Sequence, residues 1–304
     1  MGGMDRSQTS RRLAGGVGAV LLGMAAAISG SIPAQAGEFF FTRHQRTSGY
    51  NTNATKTATV TCPEGEQVYS TGGRINDGNG GVVLSAIVPD PTLTSVSVTG
   101  RARPGQTGSW SVTAFAACIS PNEFGPPSRE DSGAVLSSTT TATCDPNTRL
   151  TGMGFEVYNN LVFVDRVLPD AGLTQVSAHA KGGGIVVVVK TYAICVGHAF
   201  FTYLARGQSA TNDTSPKPAE TTDPVSPIDR QSMFVIGGEV VGGPGNVMLE
   251  ALVPQTDFLT ARATATVVSP LPLVGGPPPA AALSAVDTDD DWSTMVYGDY
   301  VDWY

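Results

Sequence analysis

The chain has 304 residues, with 26 acidic and 18 basic side chains, 4 cysteines, 3 histidines and a formal net charge of −8 at pH 7. This acidic balance argues against nucleic acid or an anionic membrane as a partner, because phosphate groups are bound by clustered basic residues. Beyond the first 36 residues, no apolar run approaches the roughly 20 residues that a membrane-spanning helix needs.

Residues 1–36 have the features of a secretory signal peptide. Three arginines lie among the first twelve residues, an apolar stretch rich in Gly and Ala follows, and the segment ends in Ala-Gln-Ala, a small-x-small cleavage pattern. A membrane anchor is the alternative, and the pair Arg11-Arg12 leaves the export route open between the general and twin-arginine systems. Cleavage before Gly37 leaves 268 residues with a net charge of −10. The pattern predicts a secreted, extracellular protein.

Two segments of the remaining chain follow the same pattern. Cys62 and Cys144 are each followed after six residues by an apolar residue and after ten residues by a glycine. Each segment continues with an apolar run ending in Pro-Asp and closes on a second apolar run that ends in cysteine. Such self-similarity indicates a repeat architecture. The predicted segments are an N-terminal extension (37–56), repeat 1 (57–119) and repeat 2 (139–196).

A third, degenerate copy follows. The interval from Gly237 to Pro254 is 17 residues, as is the interval from Gly72 to Pro89. This copy has no cysteine and is interrupted by a Pro-rich insertion, so we expect it to be the least stable third of the protein. The remaining predicted segments are a linker between repeats 1 and 2 (120–138), a Pro/Thr-rich linker (207–227) and degenerate repeat 3 (228–304).

We predict that residues 292–300 form the closing strand of repeat 3 and are not a frayed terminal tail. Trp292 aligns with Trp110, and Tyr297 falls at the position of Phe115. A one-residue shift of this ring would turn an aromatic side chain to the other face of the strand.

The repeats also predict how the cysteines pair. Four cysteines allow three pairings. In repeat 3, Pro227 and Tyr300 stand at the two cysteine positions, so both are lost together, as expected if they form one bond. A zinc site with four thiolates is the alternative, but it lacks the close C-x2-C spacing. The predicted disulfide bonds join Cys62 to Cys118 and Cys144 to Cys195.

Within each copy the residues favour short β-strands. Runs of Val, Thr, Ile and aromatic residues alternate with polar ones and are broken by Gly, Pro, Asn or Asp. Residues 75–81, Ile-Asn-Asp-Gly-Asn-Gly-Gly, are typical of a hairpin turn. The sequence predicts an all-β fold of three pseudo-equivalent antiparallel repeats with four or five strands each. A β-prism-like arrangement with one sheet per repeat is favoured, and a β-trefoil is the alternative.

The pattern C-P-x-G, then G-G, then W-x-V-x-A-[FY]-A-x-C resembles a repeat of secreted actinobacterial proteins of unassigned function. More distantly, the chain is similar to the β-prism of vitelline membrane outer layer proteins, which share the C-P-x-G start and a glycine-aromatic step. The resemblance implies a fold and a carbohydrate-related surface. The residues that carry the first pattern are Cys62, Pro63, Gly65, Val68, Gly72, Gly73, Trp110, Val112, Ala114, Phe115, Ala116 and Cys118.

Two loops are candidates for ligand binding, because aromatic rings stack on the apolar faces of sugars while Asn and Asp hold hydroxyl groups. They occupy equivalent positions after the glycine-containing strands of repeats 1 and 2, so we expect them at related ends of the fold. Ordinary polar hairpin turns are the alternative interpretation. The candidate residues are Asp77, Asn79, Tyr158, Asn159 and Asn160.

No catalytic motif is present: there is no nucleophile elbow, no H-E-x-x-H and no phosphate-binding loop. Two carboxylate pairs, Asp77 with Asp90 and Glu156 with Asp165, could flank a glycosidic bond, although acidic loop residues are more often solvated turns. The histidines have no ligand neighbours at usable spacing. We therefore predict no catalytic residue, metal site or cofactor. The histidines are His44, His179 and His198.

These observations favour a secreted, non-enzymatic binding module for an extracellular polysaccharide or another cell-envelope component. A structural or interaction protein of the cell surface or spore envelope is the first alternative, and a polysaccharide hydrolase is the second. No nucleic acid is expected as a partner, and no membrane after cleavage of the signal peptide.

Overall fold

The computed structural model shows an all-β protein of three repeats, as the sequence predicted, and its strands form three six-stranded antiparallel sheets. A one-turn helix, α1 (Pro121–Phe124), lies between two strands. Within the described residues no helix is long and apolar enough to span a membrane. The predicted signal peptide, Pro227, His198 and most of the Pro-rich insertion lie outside the described residues. The structure describes residues 41–182, 186–197, 201–210, 215–221, 231–242, 246–255, 260–268 and 292–302.

The strands fall into three groups of six, one group for each structural repeat. Repeat 1 contains β1 (Thr42–Thr47), β2 (Thr55–Thr61), β3 (Gln67–Asn76), β4 (Val82–Pro89), β5 (Ser95–Ala102) and β6 (Ser111–Ile119). Repeat 2 contains β7 (Ser128–Asp131), β8 (Thr139–Thr143), β9 (Thr148–Val157), β10 (Val162–Pro169), β11 (Gln175–Gly182) and β12 (Val189–Gly197). Repeat 3 contains β13 (Phe201–Gln208), β14 (Lys217–Glu220), β15 (Gln231–Gly242), β16 (Val247–Pro254), β17 (Ala261–Val267) and β18 (Trp292–Asp302).

Each repeat therefore has six strands, where the pattern predicted four or five. The extra strand opens the repeat: β1 lies in the segment expected to be an N-terminal extension, and β7 lies in the segment expected to link repeats 1 and 2. Both strands pair antiparallel with the closing strand of their own repeat, β1 with β6 and β7 with β12. Backbone pairing thus fixes segments whose composition suggested a loop.

The repeats are divided between sheets, which corrects the expectation of one sheet per repeat. Each sheet takes three strands from one repeat and three from another. Sheet 1 has the order β1-β6-β3-β16-β17-β14, sheet 2 has the order β2-β5-β4-β9-β12-β7, and sheet 3 has the order β13-β18-β15-β10-β11-β8. The central pair of every sheet, β3 with β16, β9 with β4 or β15 with β10, joins two repeats.

The core follows the alternation of side chains along the strands. In β2 every second residue is buried, and in β5 Val96 and Val98 are fully buried between intermediate neighbours. Threonine and serine occupy the other face of both strands, where Thr57 and Thr99 hydroxyls are 2.9 Å apart. This period of two is expected for strands with one face against the core.

A pseudo-threefold axis relates the repeats. Val83, Phe163 and Met248 hold equivalent positions in β4, β10 and β16, and they pack together in a small cluster of their own. Nearby strands also bond across the axis, since the Ser70 hydroxyl donates to the Val235 carbonyl at 3.1 Å. Side chains from all three repeats therefore meet at one place, as a threefold arrangement requires.

A glycine in each repeat makes the closest contact with the next repeat. A Cβ atom on Gly72 would lie 2.6 Å from both the Leu252 carbonyl oxygen and Pro254 Cδ. The same contact joins Gly154 to Ile87 and Pro89, and Gly237 to Val167 and Pro169. The recurring interval between glycine and proline in the sequence thus reflects this seam between repeats, where no side chain fits.

The predicted disulfide pairing is confirmed: Cys62 bonds Cys118, and Cys144 bonds Cys195. Each bond joins two sheets, because the first cysteine follows an edge strand of one sheet and the second lies inside a strand of another. The first bond links sheet 2 to sheet 1, and the second links sheet 3 to sheet 2. The chain-entropy model gives about 4 kcal/mol for closing a loop of this size.

The end of the chain forms strand β18, which pairs with β15 on one side and β13 on the other. Tyr297 lies opposite Gly237 as Phe115 lies opposite Gly72. The two aromatic residues therefore have the same register in their strands, and Tyr297 is not shifted by one residue. Tyr300 lies opposite Met233, at the position that Cys118 has opposite Val68.

A buried lysine packs on a tryptophan in two of the repeats. The ammonium groups of Lys56 and Lys217 lie 4.4 Å and 4.1 Å from the ring centroids of Trp110 and Trp292 and donate to the carbonyls of the same tryptophans. The attraction between a cation and the ring face helps to offset the cost of burying the charge. Lys56 has its pKa lowered by burial.

We expect Gly72→Ala to destabilise the protein by about 1–3 kcal/mol, because the added methyl group would collide with backbone of the neighbouring repeat. Urea or thermal denaturation would measure the loss. Gly197→Ala is the matched control, since nothing lies within 4 Å of its added Cβ atom. Equal stability of the two variants would contradict the close seam.

Removing residues 291–304 deletes an interior strand of sheet 3, which pairs on both sides, so we expect loss of the folded state or a large fall in melting temperature. The milder change Trp292→Ala should cost about 3–5 kcal/mol, because this ring is only 2 % exposed. Tyr50→Ala, which truncates an aromatic ring that is 62 % exposed, is the control. An unchanged denaturation midpoint for Trp292→Ala would exclude a docked β18.

Candidate functional site

Sheet 1 carries a groove on the face turned away from the main core. Two cavities, of about 260 Å³ and about 490 Å³, lie side by side and share the lining residues Arg74, Ala251 and Thr264. The groove crosses the seam where β3 of repeat 1 pairs with β16 of repeat 3. We call the smaller cavity the acidic cavity, because Asp77 and Glu250 line it, and the larger one the basic cavity, because Arg43, Arg74 and Arg262 line it.

A β-bulge brings Glu250 to the groove. The register of β16 with β17 shifts between Leu249 and Ala251, so Glu250 is the extra residue. The same bulge occurs in β4 at Ser85 and in β10 at Asp165. A bulge redirects side chains locally. Here it places a polar residue at the equivalent point of all three sheets.

The polar side chains at the three equivalent positions differ in their hydrogen-bond and ion-pair partners. In sheet 2 the Ser85 hydroxyl donates to the Thr99 carbonyl at 3.0 Å. In sheet 3 the carboxylate of Asp165, which is 2 % exposed, pairs with Lys181 Nζ at 2.7 Å and with His179 Nδ1. In both cases the buried group has a partner, as buried polar groups require.

Sheet 1 lacks these partners. By strand register, Thr264 and Thr266 of β17 stand where His179 and Lys181 stand in β11. Among the described residues, Glu250 has no hydrogen-bond or ion-pair partner. Burial, and secondarily the negative charge of Asp77, raises the pKa of Glu250 to about 7. The space that a lysine fills in sheet 3 is the acidic cavity.

The turn after β3 holds Asp77 at the mouth of this cavity. Asp77 and Asn79 have positive φ angles of 58° and 47°, a conformation that Asp and Asn tolerate better than most residues. The Asn79 side chain donates to the Asp77 carbonyl at 3.3 Å, and Gly81 donates to the Gly78 carbonyl at 2.8 Å. Local turn chemistry thus sets the position of the carboxylate.

The floor of the basic cavity is Phe115, which is 1 % exposed and lies in a small cluster separate from the main core. The guanidinium groups of Arg43 and Arg74 lie 5.1 Å and 5.8 Å from its ring centroid. Arg43 also donates to the Pro254 carbonyl at 2.9 Å, which ties β1 to repeat 3. A ligand would therefore meet guanidinium and amide groups, not an open aromatic face.

The structure places the five predicted ligand residues on two different sheets. Asp77 and Asn79 line the acidic cavity of sheet 1. Tyr158, Asn159 and Asn160 follow β9 beside sheet 2, where each makes a hydrogen bond to the loop or to β5. The Tyr158 carbonyl accepts from Arg101, the Asn160 amide donates to the Ala102 carbonyl, and Asn159 Oδ1 accepts from the Leu161 amide.

The two proposed carboxylate pairs are not formed. Asp90 caps the turn after β4, accepting from the backbone amides of Thr94 at 2.7 Å and Ser95 at 2.6 Å, a full strand away from Asp77. Glu156 accepts from the Tyr158 and Tyr192 hydroxyls. Asp165 lies in sheet 3, where it pairs with Lys181 and His179. The carboxylate that does lie near Asp77 is Glu250.

One group of potential metal ligands occurs among the described residues. Single ligand atoms of His44, Glu66 and Cys118 lie within 4.8 Å of one another. The Cys118 sulfur is bonded to Cys62, and the Thr42 hydroxyl lies between the other two, donating to Glu66 and contacting His44 Nε2. With its thiolate used, this group does not have a zinc donor set.

The chain matches no protein-family model and no curated protein at a significant level. The resemblance to the secreted repeat proteins and to the vitelline membrane outer layer proteins therefore stays a prediction.

Glu250 and the arginines of the groove were missed from the sequence. Glu250 stands within an apolar run and its position depends on a bulge that single residues do not predict. Aligning the three repeats offered a signal: the column Ser85, Asp165 and Glu250 is polar in every copy. The column of Lys181 is basic in repeats 1 and 2, where it holds Arg101 and Lys181, and becomes a threonine, Thr266, only in repeat 3.

We expect Glu250→Gln to stabilise the protein at pH 8 by roughly 2–3 kcal/mol and to have no effect at pH 4. The folded-state pKa of about 7 exceeds the usual 4.5, so the folded state binds the extra proton and loses stability as the pH rises through this range. Thermal denaturation against pH measures this. Glu64→Gln, an exposed change, is the control. The same pH dependence in Glu250→Gln and the native protein would contradict the burial of Glu250.

Proposed function

We propose that the protein is a secreted, non-enzymatic module that binds an extracellular glycan in the groove of sheet 1. The observation that carries the proposal is the continuity of the two cavities, which share three lining residues and together span the seam between repeats. An extended, open groove of this kind suits a chain-like ligand better than a compact small molecule.

The chemistry of the lining supports a saccharide. The groove presents guanidinium, amide and hydroxyl groups, which together donate and accept the hydrogen bonds that sugar hydroxyls make. The side chains that supply them are Arg43, Gln45, Arg74, Gln255, Arg262, Thr264 and Thr266. Several are held in place, since Arg74 donates to Asn76 Oδ1 at 2.8 Å and Arg43 to Gln45 Oε1 at 3.0 Å. Positioned groups lose less freedom on binding.

An extracellular location fits the covalent structure. Both disulfide bonds close within the described chain and no cysteine there is free. Disulfides of this kind persist in oxidising environments. Together with the predicted signal peptide, they support export of the protein.

Binding is tested with a panel of insoluble cell-wall glycans, chitin and β-glucans, followed by calorimetry on soluble fragments. We expect the native protein to bind at least one polymer and Ala251→Glu to weaken that binding about tenfold or more. The new carboxylate would lie opposite Arg74 and fill the point shared by both cavities, as Arg166 does opposite Glu239 in sheet 3.

Thr57→Glu adds the same charge to the exposed face of sheet 2 and should bind normally. Retained binding by Ala251→Glu would exclude the groove as the site. Failure of the native protein to bind any polymer would overturn the proposal in favour of a structural role in the cell envelope.

Glycoside hydrolysis is the second candidate, and Glu250 is the observation that favours it. A carboxyl group whose pKa is raised by burial, close to a second carboxylate, is the arrangement that glycosidases use for general acid catalysis. Release of reducing ends from the bound polymer would establish this activity if it were lost in Glu250→Gln. A binding module should release none.

A further inference from the structure

Sheet 3 shows how an ammonium group can occupy the position that is equivalent to the acidic cavity of sheet 1. In sheet 3 the ammonium group of Lys181 lies 2.7 Å from the carboxylate of Asp165, at the bulge that is equivalent to Glu250. That lysine reaches the carboxylate from β11, and its side chain remains 42 % exposed. The fold therefore accommodates an ammonium group beside the bulge carboxylate, approached from the outer face.

Sheet 1 retains the carboxylate and loses the ammonium. Thr266 replaces Lys181, and an open cavity of about 260 Å³ lies where the lysine would be. Asp77 adds a second carboxylate to the lining. The one cationic residue in the lining, Arg74, is turned to Asn76 and to the ring of Phe115. No described cation pairs with either carboxylate, so a positive group is what the cavity lacks.

We propose that the acidic cavity binds a primary ammonium group of the ligand, which takes the place that Lys181 occupies in repeat 2. This inference rests on the proposed function and deepens it, because the ligand is then a glycan that contains an amino sugar with a free amine. Glu250 and Asp77 are the specificity-determining residues.

The basic cavity constrains the next sugar along the chain. Arg43, Arg74 and Arg262 line it, and Arg74 belongs to both cavities. Three guanidinium groups repel a second ammonium group and attract a carboxylate, with which arginine forms paired hydrogen bonds. The groove thus suits a glycan with adjacent amino and acidic sugars better than a polymer of amino sugars alone.

The probes are two tetrasaccharides of alternating amino sugar and glucuronic acid, which differ only in whether the amino groups are free or N-acetylated. We expect the native protein to bind the free amine at least about tenfold more tightly at pH 7.5 and low salt. The preference should shrink as salt is added, because partly exposed ion pairs are screened. A glucosamine tetramer, which lacks the carboxylates, should bind less tightly than the alternating free amine.

Thr266→Lys is the decisive variant, because it supplies an internal ammonium group equivalent to that of Lys181. It should remove the preference for the free amine, so that the two alternating tetrasaccharides bind with equal affinity. Glu250→Gln should reduce the preference without adding a side chain to the cavity, and it keeps the test open if Thr266→Lys does not fold. Thr57→Lys adds the same charge on sheet 2 and should retain the full preference.

Equal affinity of the native protein for the two alternating tetrasaccharides would overturn this inference and leave the proposed function standing. A preference that survives in both Glu250→Gln and Thr266→Lys would also overturn it, since the amine would then be recognised elsewhere. Failure to bind either of these probes or any polymer of the panel would overturn the proposed function itself.

Discussion

Close contact between a glycine and the backbone of the next repeat is the constraint on which the whole structure depends. At Gly72, Gly154 and Gly237 the neighbouring carbonyl oxygen and proline ring lie so near that no side chain fits. This approach lets the central strands of two repeats pair, so that each sheet continues from one repeat into another. Three such seams close the ring of repeats, and the outer groove exists only because a seam brings repeats 1 and 3 together.

Local pattern predicted much of this fold. The alternation of Val and Thr gave the strand character, and the equal intervals in the repeats identified the pairing of Cys62 with Cys118 and of Cys144 with Cys195. The division of each repeat between two sheets could not be predicted in the same way. A disulfide between the second and the last strand of a repeat has the same spacing in sequence whether those strands share a sheet or lie in different sheets. Pairing between repeats involves few residues, such as Leu252 with Gly73, and leaves no periodic signal of its own.

The site was predictable only in part. Asp77 and Asn79 were visible because turn residues with a left-handed backbone are restricted in type. Glu250 was not, because its position comes from a bulge and its environment from residues of another strand. The groove arises from differences between equivalent positions: sheet 2 fills the corresponding space with Arg101, bonded to the Tyr158 carbonyl, and sheet 3 fills it with Lys181. Threonine at position 266 leaves it open. The difference between Arg101, Lys181 and Thr266 can be interpreted only once strand pairing shows that they hold equivalent positions.

The two disulfides have a consequence for how motion is distributed. Both bonds end on sheet 2, one reaching sheet 1 and the other sheet 3, so the corner between sheets 1 and 3 has no described covalent link. There Lys217 of β14 contacts Trp292 of β18 through a hydrogen bond and the ring face, and both contacts are non-covalent. Fluctuations that open the protein locally should therefore concentrate at this corner. Strand β14 forms the edge of sheet 1 beside the groove, so the groove adjoins the one pair of sheets that no described disulfide links.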